Sequence, residues 1–113
     1  MTLTPCSLVQ VSGGSGRLGN PGPGPWAAAA FATRALVQSQ AAELREQGVH
    51  VALLIVDAII ESEKTKHLLE DERPERSASM EEVARAIKYL HEQSARAWTH
   101  ELQLTPALER WVP

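Results

Sequence analysis

The run Val49-His50-Val51-Ala52-Leu53-Leu54-Ile55-Val56-Asp57-Ala58-Ile59-Ile60 constrains the fold more than any other part of the sequence. Gly48 bounds it on one side and a densely charged stretch on the other. Its apolar residues do not alternate with polar ones, so an extended strand here would leave no face for water. A continuous β-branched run of this kind marks a strand buried on both faces, as in a parallel sheet covered by helices. It is too short to cross a bilayer, and His50 and Asp57 interrupt it. Such a strand needs neighbours in its sheet and helices over it.

The flanking sequence supplies both. Residues 7–12, SLVQVS, form a short apolar run that reads as a strand. Residues 13–25, with NPGPGP, must be a loop. Residues 26–47 are alanine-rich and free of Gly and Pro; Trp26, Ala30, Leu36, Val37, Ala41 and Leu44 recur at roughly helical spacing, and Gly48 supplies the stop. The strand at 49–60 follows. Residues 61–78 are strongly charged and read as a partly helical, mobile surface segment. Ser79-Met80-Glu81-Glu82 has the form of a capping box, in which the Ser79 hydroxyl and the Glu82 carboxylate satisfy each other's orphan amides. It opens a helix over 80–93 with Val83, Ala86, Ile87 and Leu90 on one face. AWTHELQL, 97–104, alternates as a last strand, and the tail 105–113 is expected to be a turn or short helix docked by Trp111. The order βαβαβ predicts an α/β fold with a three-stranded parallel sheet and right-handed connections. A chain of 113 residues holds one domain at most.

Several function classes drop out on composition. A net charge of -3 leaves no basic field for a nucleic-acid backbone, and 4% aromatic residues leave little for base stacking. No membrane segment is expected, and MTLTPCSLVQ lacks the basic and apolar regions of a signal peptide. The single Cys6 fits a reducing compartment, so the expected location is cytoplasmic.

Gly14-Ser15-Gly16-Arg17-Leu18-Gly19 matches the dinucleotide pattern G-x-G-x-x-G after a strand and before a helix. That pattern works when a helix opens at the third glycine and points its N-terminus at a pyrophosphate. Here Asn20-Pro21-Gly22-Pro23-Gly24-Pro25 delays the helix, and the acid at the right distance, Glu43, lies inside the helix rather than after a second strand. The plainer alternative, a loop after a strand, is preferred.

Several segments together resemble the short-chain dehydrogenase/reductase family. WAAAAFATRALVQSQAAELREQGVHVALLIVDAII is similar to the family's stretch that opens with Tyr-x-x-x-Lys and runs through a helix into the next strand. EEVARAIKYLHEQSARAWTHELQLTP resembles the closing helix and strand of one branch. The resemblance runs over nearly the whole chain but corresponds to the second half of the family's fold, and it implies a partial Rossmann-like domain. In the family the glycine motif belongs to the first half, and the loop at Gly14–Gly19 corresponds to the one carrying the catalytic serine. It further implies that Tyr gives a proton to the substrate carbonyl oxygen, Lys tunes that tyrosine and holds the nicotinamide ribose, and Ser binds the substrate oxygen. The Tyr position falls on Trp26 and the Lys position on Ala30. The Ser position falls at about Gly13, with Ser12 and Ser15 alongside. An indole does not titrate in the useful range and a methyl group holds no ribose, so no catalytic set is intact. Where the family has Pro-Gly-x-Ile-x-Thr, this chain has Asp57-Ala58-Ile59-Ile60-Glu61-Ser62. Ile60 and Ser62 are candidates for a remnant nicotinamide-carboxamide pocket; alternatively Ile59 and Ile60 finish the buried strand.

The remaining candidates carry less. His50, His67, His91 and His100 show no metal-ligand spacing and no Cys pair joins them, so no metal site is expected. His100-Glu101 suggests a hydrogen-bonded pair, read as structural. Glu61 to Arg76 reads as a solvated face, with a substrate lid as the lesser alternative, and Trp98 and Trp111 as core or interface anchors. The preferred function is a family-derived chain that is non-catalytic alone and acts through assembly or binding. The alternative is one half of a split NAD(P)-dependent oxidoreductase, and an independent small-molecule binder comes third. No cofactor is expected on the isolated chain; NAD or NADP is expected if a partner half completes it. The expected partners are a second copy or such a half, joining at the edge of the first strand or the alanine-rich helix.

Overall fold

The computed structural model describes residues 6–110. Three parallel strands, β1 (Cys6–Gly13), β2 (Val49–Val56) and β3 (Glu101–Leu104), lie in the order β1-β2-β3. Helix α1 (Gly24–Leu44) joins the first pair and α2 (Met80–Glu92) the second. β1 runs in register from Cys6 opposite Val49 to Gly13 opposite Val56, and β3 pairs Glu101 with Leu53 through Leu104 with Val56. The α/β architecture with a central doubly covered strand is the one read from the sequence. Val51 through Val56 are all buried. Their side chains divide by parity, as a period of two requires. Val51, Leu53 and Ile55 pack under α1 with Val37, whereas Ala52, Leu54 and Val56 pack under α2 with Ala86 and Leu90.

Element ends differ from the sequence reading for local reasons. α1 begins at Gly24 rather than Trp26, because Pro25 sits in the first turn, where its missing N–H is no loss. It ends at Leu44; Arg45–Gln47 tighten into a 3-10 turn, and Gly48, at φ 80°, takes the left-handed conformation that closes the helix. β2 stops at Val56, not at residue 60. The Asp57 N–H still bonds the Leu104 carbonyl, but Ile60 has left the sheet and bridges Ala78 instead. β3 starts at Glu101, not at residue 97. The Gln93 side chain accepts from the Thr99 N–H at 2.9 Å and donates to the Thr99 hydroxyl at 2.8 Å, holding the chain in a loop up to that point. The capping box forms by half: the Ser79 hydroxyl accepts from the Glu82 N–H at 3.1 Å, but the Glu82 carboxylate pairs with Arg85. The charged segment contains two 3-10 turns, Lys66–Leu68 and Pro74–Arg76. The Leu108 N–H ties the tail to Glu75. Trp111, expected to dock the tail, lies outside the described residues.

The two helices are not equally covered. α2 buries a narrow stripe and turns charge to solvent, with His91 bonded to Ser7 on β1. In α1 only Ala27 and Val37 are buried among 21 residues, while Trp26, Phe31 and Leu36 face solvent. Large apolar side chains left together on a helix surface mark a face that a partner commonly covers. The outer side of β1 pairs with nothing among the described residues, and Leu8 and Val11 are exposed there.

Candidate functional site

In open parallel sheets, ligands gather at the carboxyl ends of the strands, and the residues singled out by resemblance gather there too. β1 delivers Ser12, the 3-10 turn Gly14–Gly16 follows, and α1 returns across it. A methyl group placed on buried Gly16 would lie 3.2 Å from the Ser12 hydroxyl and 3.9 Å from the Ala30 methyl. Ser12 and Ala30 therefore flank one spot, with Gly16 small enough to let the turn close on the helix. Ser15, half-buried, belongs to the same turn. Trp26, one helical turn before Ala30, is 72% exposed. The glycine motif opens no helix, since α1 starts only at Gly24, beyond the loop that follows Gly19.

Chemically the spot is bare: a hydroxyl, a methyl and a backbone turn. The cation that comes nearest along α1 is Arg34, and it is already engaged. Its Nε and Nη2 donate to the two Glu101 carboxylate oxygens at 2.7 and 2.8 Å. This forked bond holds the Glu101 carboxyl below its usual range against the opposing effect of burial, with smaller help from the charge of Arg34, His100 and Arg17. The same bond raises Arg34. Arg34 thus locks α1 to β3, and its charge is taken up by Glu101. The expected His100–Glu101 pair does not form. Glu101 is forked on Arg34 instead, and His100 Nδ1 donates to the Val51 carbonyl at 3.2 Å.

At the end of β2, Asp57 is buried and accepts from the Thr105 hydroxyl at 3.2 Å. Thr65 gathers the next turn, donating to the Ile60 carbonyl at 2.7 Å and accepting from the Ser62 N–H at 2.9 Å. Ile60 and Ser62 are thus brought together through one threonine. Ser62 faces an open groove of about 840 Å³ whose lining includes Glu61, Glu63, Glu70, Glu72 and Glu81 against Lys66 and Arg73. That lining is acidic, the wrong sign for a pyrophosphate.

Two features were not singled out in the sequence as working parts. The Arg34–Glu101 clamp is one; its only signal is a charge inside an alanine-rich helix. His50 is the other. It is buried, with Nδ1 3.0 Å from the Leu90 carbonyl, Nε2 2.7 Å from the Thr99 carbonyl, and its ring stacked on Trp98 at 5.0 Å. A histidine inside an otherwise apolar strand was the clue. No three His, Cys, Asp or Glu side chains converge as metal ligands among the described residues, and no helix there is long and apolar enough to cross a membrane.

Three parallel strands with flanking helices, a partial Rossmann-like sheet, define the class of fold. Solved structures of that class match it. No protein-family model and no curated protein matches the chain. The chain is similar to a short-chain dehydrogenase from Rhodopseudomonas palustris, at 29% identity and a TM-score of 0.66 over 88% of this chain and 38% of that one. It is also similar to a short-chain oxidoreductase from Pseudomonas aeruginosa PAO1 with an atypical catalytic centre, at 21% identity and a TM-score of 0.77, covering 97% and 50%. A 4-hydroxyisoleucine dehydrogenase complexed with NADH aligns at 16% identity and a TM-score of 0.74, covering 88% and 45%. The short-chain dehydrogenase/reductase resemblance read from the sequence therefore holds in three dimensions, and the chain spans half or less of these structures' length.

Proposed function

We propose that this chain is a non-catalytic derivative of the short-chain dehydrogenase/reductase fold that acts through assembly or binding. What supports the reading is the resemblance, which puts Trp26 and Ala30 where the family has its tyrosine and lysine. Trp26 points to solvent and Ala30 packs beside Gly16 and Ser12. Neither side chain can move a proton or hold a ribose. The exposed apolar residues of α1 and the open side of β1 support assembly, as a homo-oligomer such as a dimer or with a complementing half.

A second reading rests on the partial coverage of the solved structures: the C-terminal half of an NAD(P)-dependent oxidoreductase completed by another polypeptide. Ile60 and Ser62 would then lie toward the nicotinamide, and NAD or NADP would be the cofactor of the completed protein. The oxidoreductase with an atypical catalytic centre is also described with NADPH bound, so a protein of this fold holds a nucleotide beside such a centre. A cytoplasmic setting suits either reading, given the lone, exposed Cys6.

Calorimetric titration with oxidised and reduced NAD and NADP separates the two. The first reading expects no binding by the 113-residue chain at micromolar concentrations. Saturable binding by the chain alone would overturn it. Binding that arises only on mixing with a polypeptide carrying the glycine-fingerprint half would establish the second.

A further inference from the structure

The ends of β2 and β3 remote from Ser12 and Ala30 frame another cavity, of about 350 Å³, between the last turns of α1, the start of β2 and the loop before β3. Its volume is that of a small-molecule site. Ala41 and Ala42 make one wall, short enough to leave a slot, with Val49 and Val51 below and Trp98 opposite. His50 lines the slot but offers it no polar atom, since both ring nitrogens face carbonyls and the indole of Trp98 stacks on the ring.

The polar groups still free are few. The side chains of Arg45 and Gln38 line the slot and have no partner among the described residues. His100 donates through Nδ1 to the Val51 carbonyl and adds its ring to the lining. No acidic side chain lines the cavity, in a chain of net charge -3. One unpaired guanidinium above an apolar slot matches a single carboxylate on an apolar body. A phosphate dianion would find one cation where it needs more, and an ammonium would meet like charge.

We propose that this cavity binds a small apolar carboxylate, with its body between the α1 alanines and Trp98 and its carboxylate forked on Arg45, Gln38 donating beside it. A planar guanidinium suits that geometry, since two parallel N–H bonds fix both oxygens. The site is separate from the one resembling the dehydrogenases. It lies at the opposite ends of the strands and needs neither nucleotide nor a second half.

The test uses the whole chain in its own assembly state, titrated with 2-naphthoate, octanoate, 2-naphthamide and 2-naphthylmethylamine, and followed by calorimetry and the indole N–H resonance of Trp98. At least one carboxylate is expected to saturate and to shift that resonance. It should bind about tenfold or more tightly than the amide, the scale of one charge-assisted pair, and the amine should not saturate. Naphthoate alone would specify an aromatic body, octanoate alone an aliphatic one. Arg45→Gln, on an exposed turn, should abolish the preference for acid over amide, and Ala42→Leu should block the slot, both with unchanged melting. No saturation by either carboxylate, an amide that binds as tightly as the acid, or an Arg45→Gln chain that binds as before would overturn the proposal.

Discussion

Replacing Glu101 by glutamine removes the carboxylate that fastens α1 to β3 and keeps nearly the same shape. The ion pair and one of its two hydrogen bonds are lost, from a fork at 2.7 and 2.8 Å between side chains that are 27% and 22% exposed. Such bonds contribute about 1.5–3 kcal/mol each when well shielded, and solvent at this site brings the net loss to about 2 kcal/mol for the pair. With a urea m-value of about 1.5 kcal/mol/M for a chain of this size, the unfolding midpoint should fall by about 1.3 M at pH 7. The pH dependence has a definite sign. The folded carboxyl is held below its ordinary value of 4.5, so the stabilisation is fully present above that value and is lost as pH falls through the folded one. The guanidinium stays charged throughout, so the window belongs to Glu101. Urea unfolding of the original and Glu101→Gln chains at one fixed protein concentration should show a large gap at pH 7 that closes in acid. An equal gap at both pH values, or none at pH 7, would refute the clamp.

Three further outcomes are expected. Carbonyl reduction should stay at background over a panel of ketones and aldehydes with either nucleotide, and Trp26→Tyr with Ala30→Lys should not restore it; turnover by that double variant would show that this chain suffices for catalysis. Sedimentation over a range of concentrations should show association, because the exposed residues of α1 and the open side of β1 ask for a partner; a compact monomer that melts cooperatively at low micromolar concentration would contradict this. Leu54→Ala, at a fully buried site in β2, should cost about 2–5 kcal/mol in chemical denaturation, and a loss under about 1 kcal/mol would mean that the sheet is not the core.

What the sequence disclosed and what it hid follow from where the forces act. β2 was legible because burial on both faces leaves an uninterrupted apolar run that few other structures tolerate. Ser79 announced α2 because its cap is made within one turn of chain. The ends of β2 and β3 were not legible. They depend on Ile60 finding Ala78 and on the Gln93 side chain holding Thr99, and no local pattern signals either contact. The family positions of Trp26 and Ala30 rest on resemblance alone, whereas the closeness of Ser12 to Ala30 follows from β1, the turn after it and α1 being neighbours. The Arg34–Glu101 bond could not be read, because its partners lie 67 residues apart. His50 drew notice as a residue type, but its partners are main-chain carbonyls of Leu90 and Thr99, which every residue carries and no sequence distinguishes.

The side of β1 left unpaired among the described residues has a consequence of symmetry. If a second copy of the chain paired there, a two-fold axis would relate the two strands, and a strand turned onto itself by such an axis runs in the opposite direction. Two identical chains would make a six-stranded sheet, parallel within each trio and antiparallel at the seam, with the alternating close and wide hydrogen-bond pairs of that arrangement. A complementing half that continues the sheet in its present sense would instead lay a parallel strand beside Leu8 and Val11, with evenly spaced, slanted bonds. The direction of the neighbouring backbone, read from cross-strand proton contacts, therefore tells a self-paired chain from one completed by a different polypeptide.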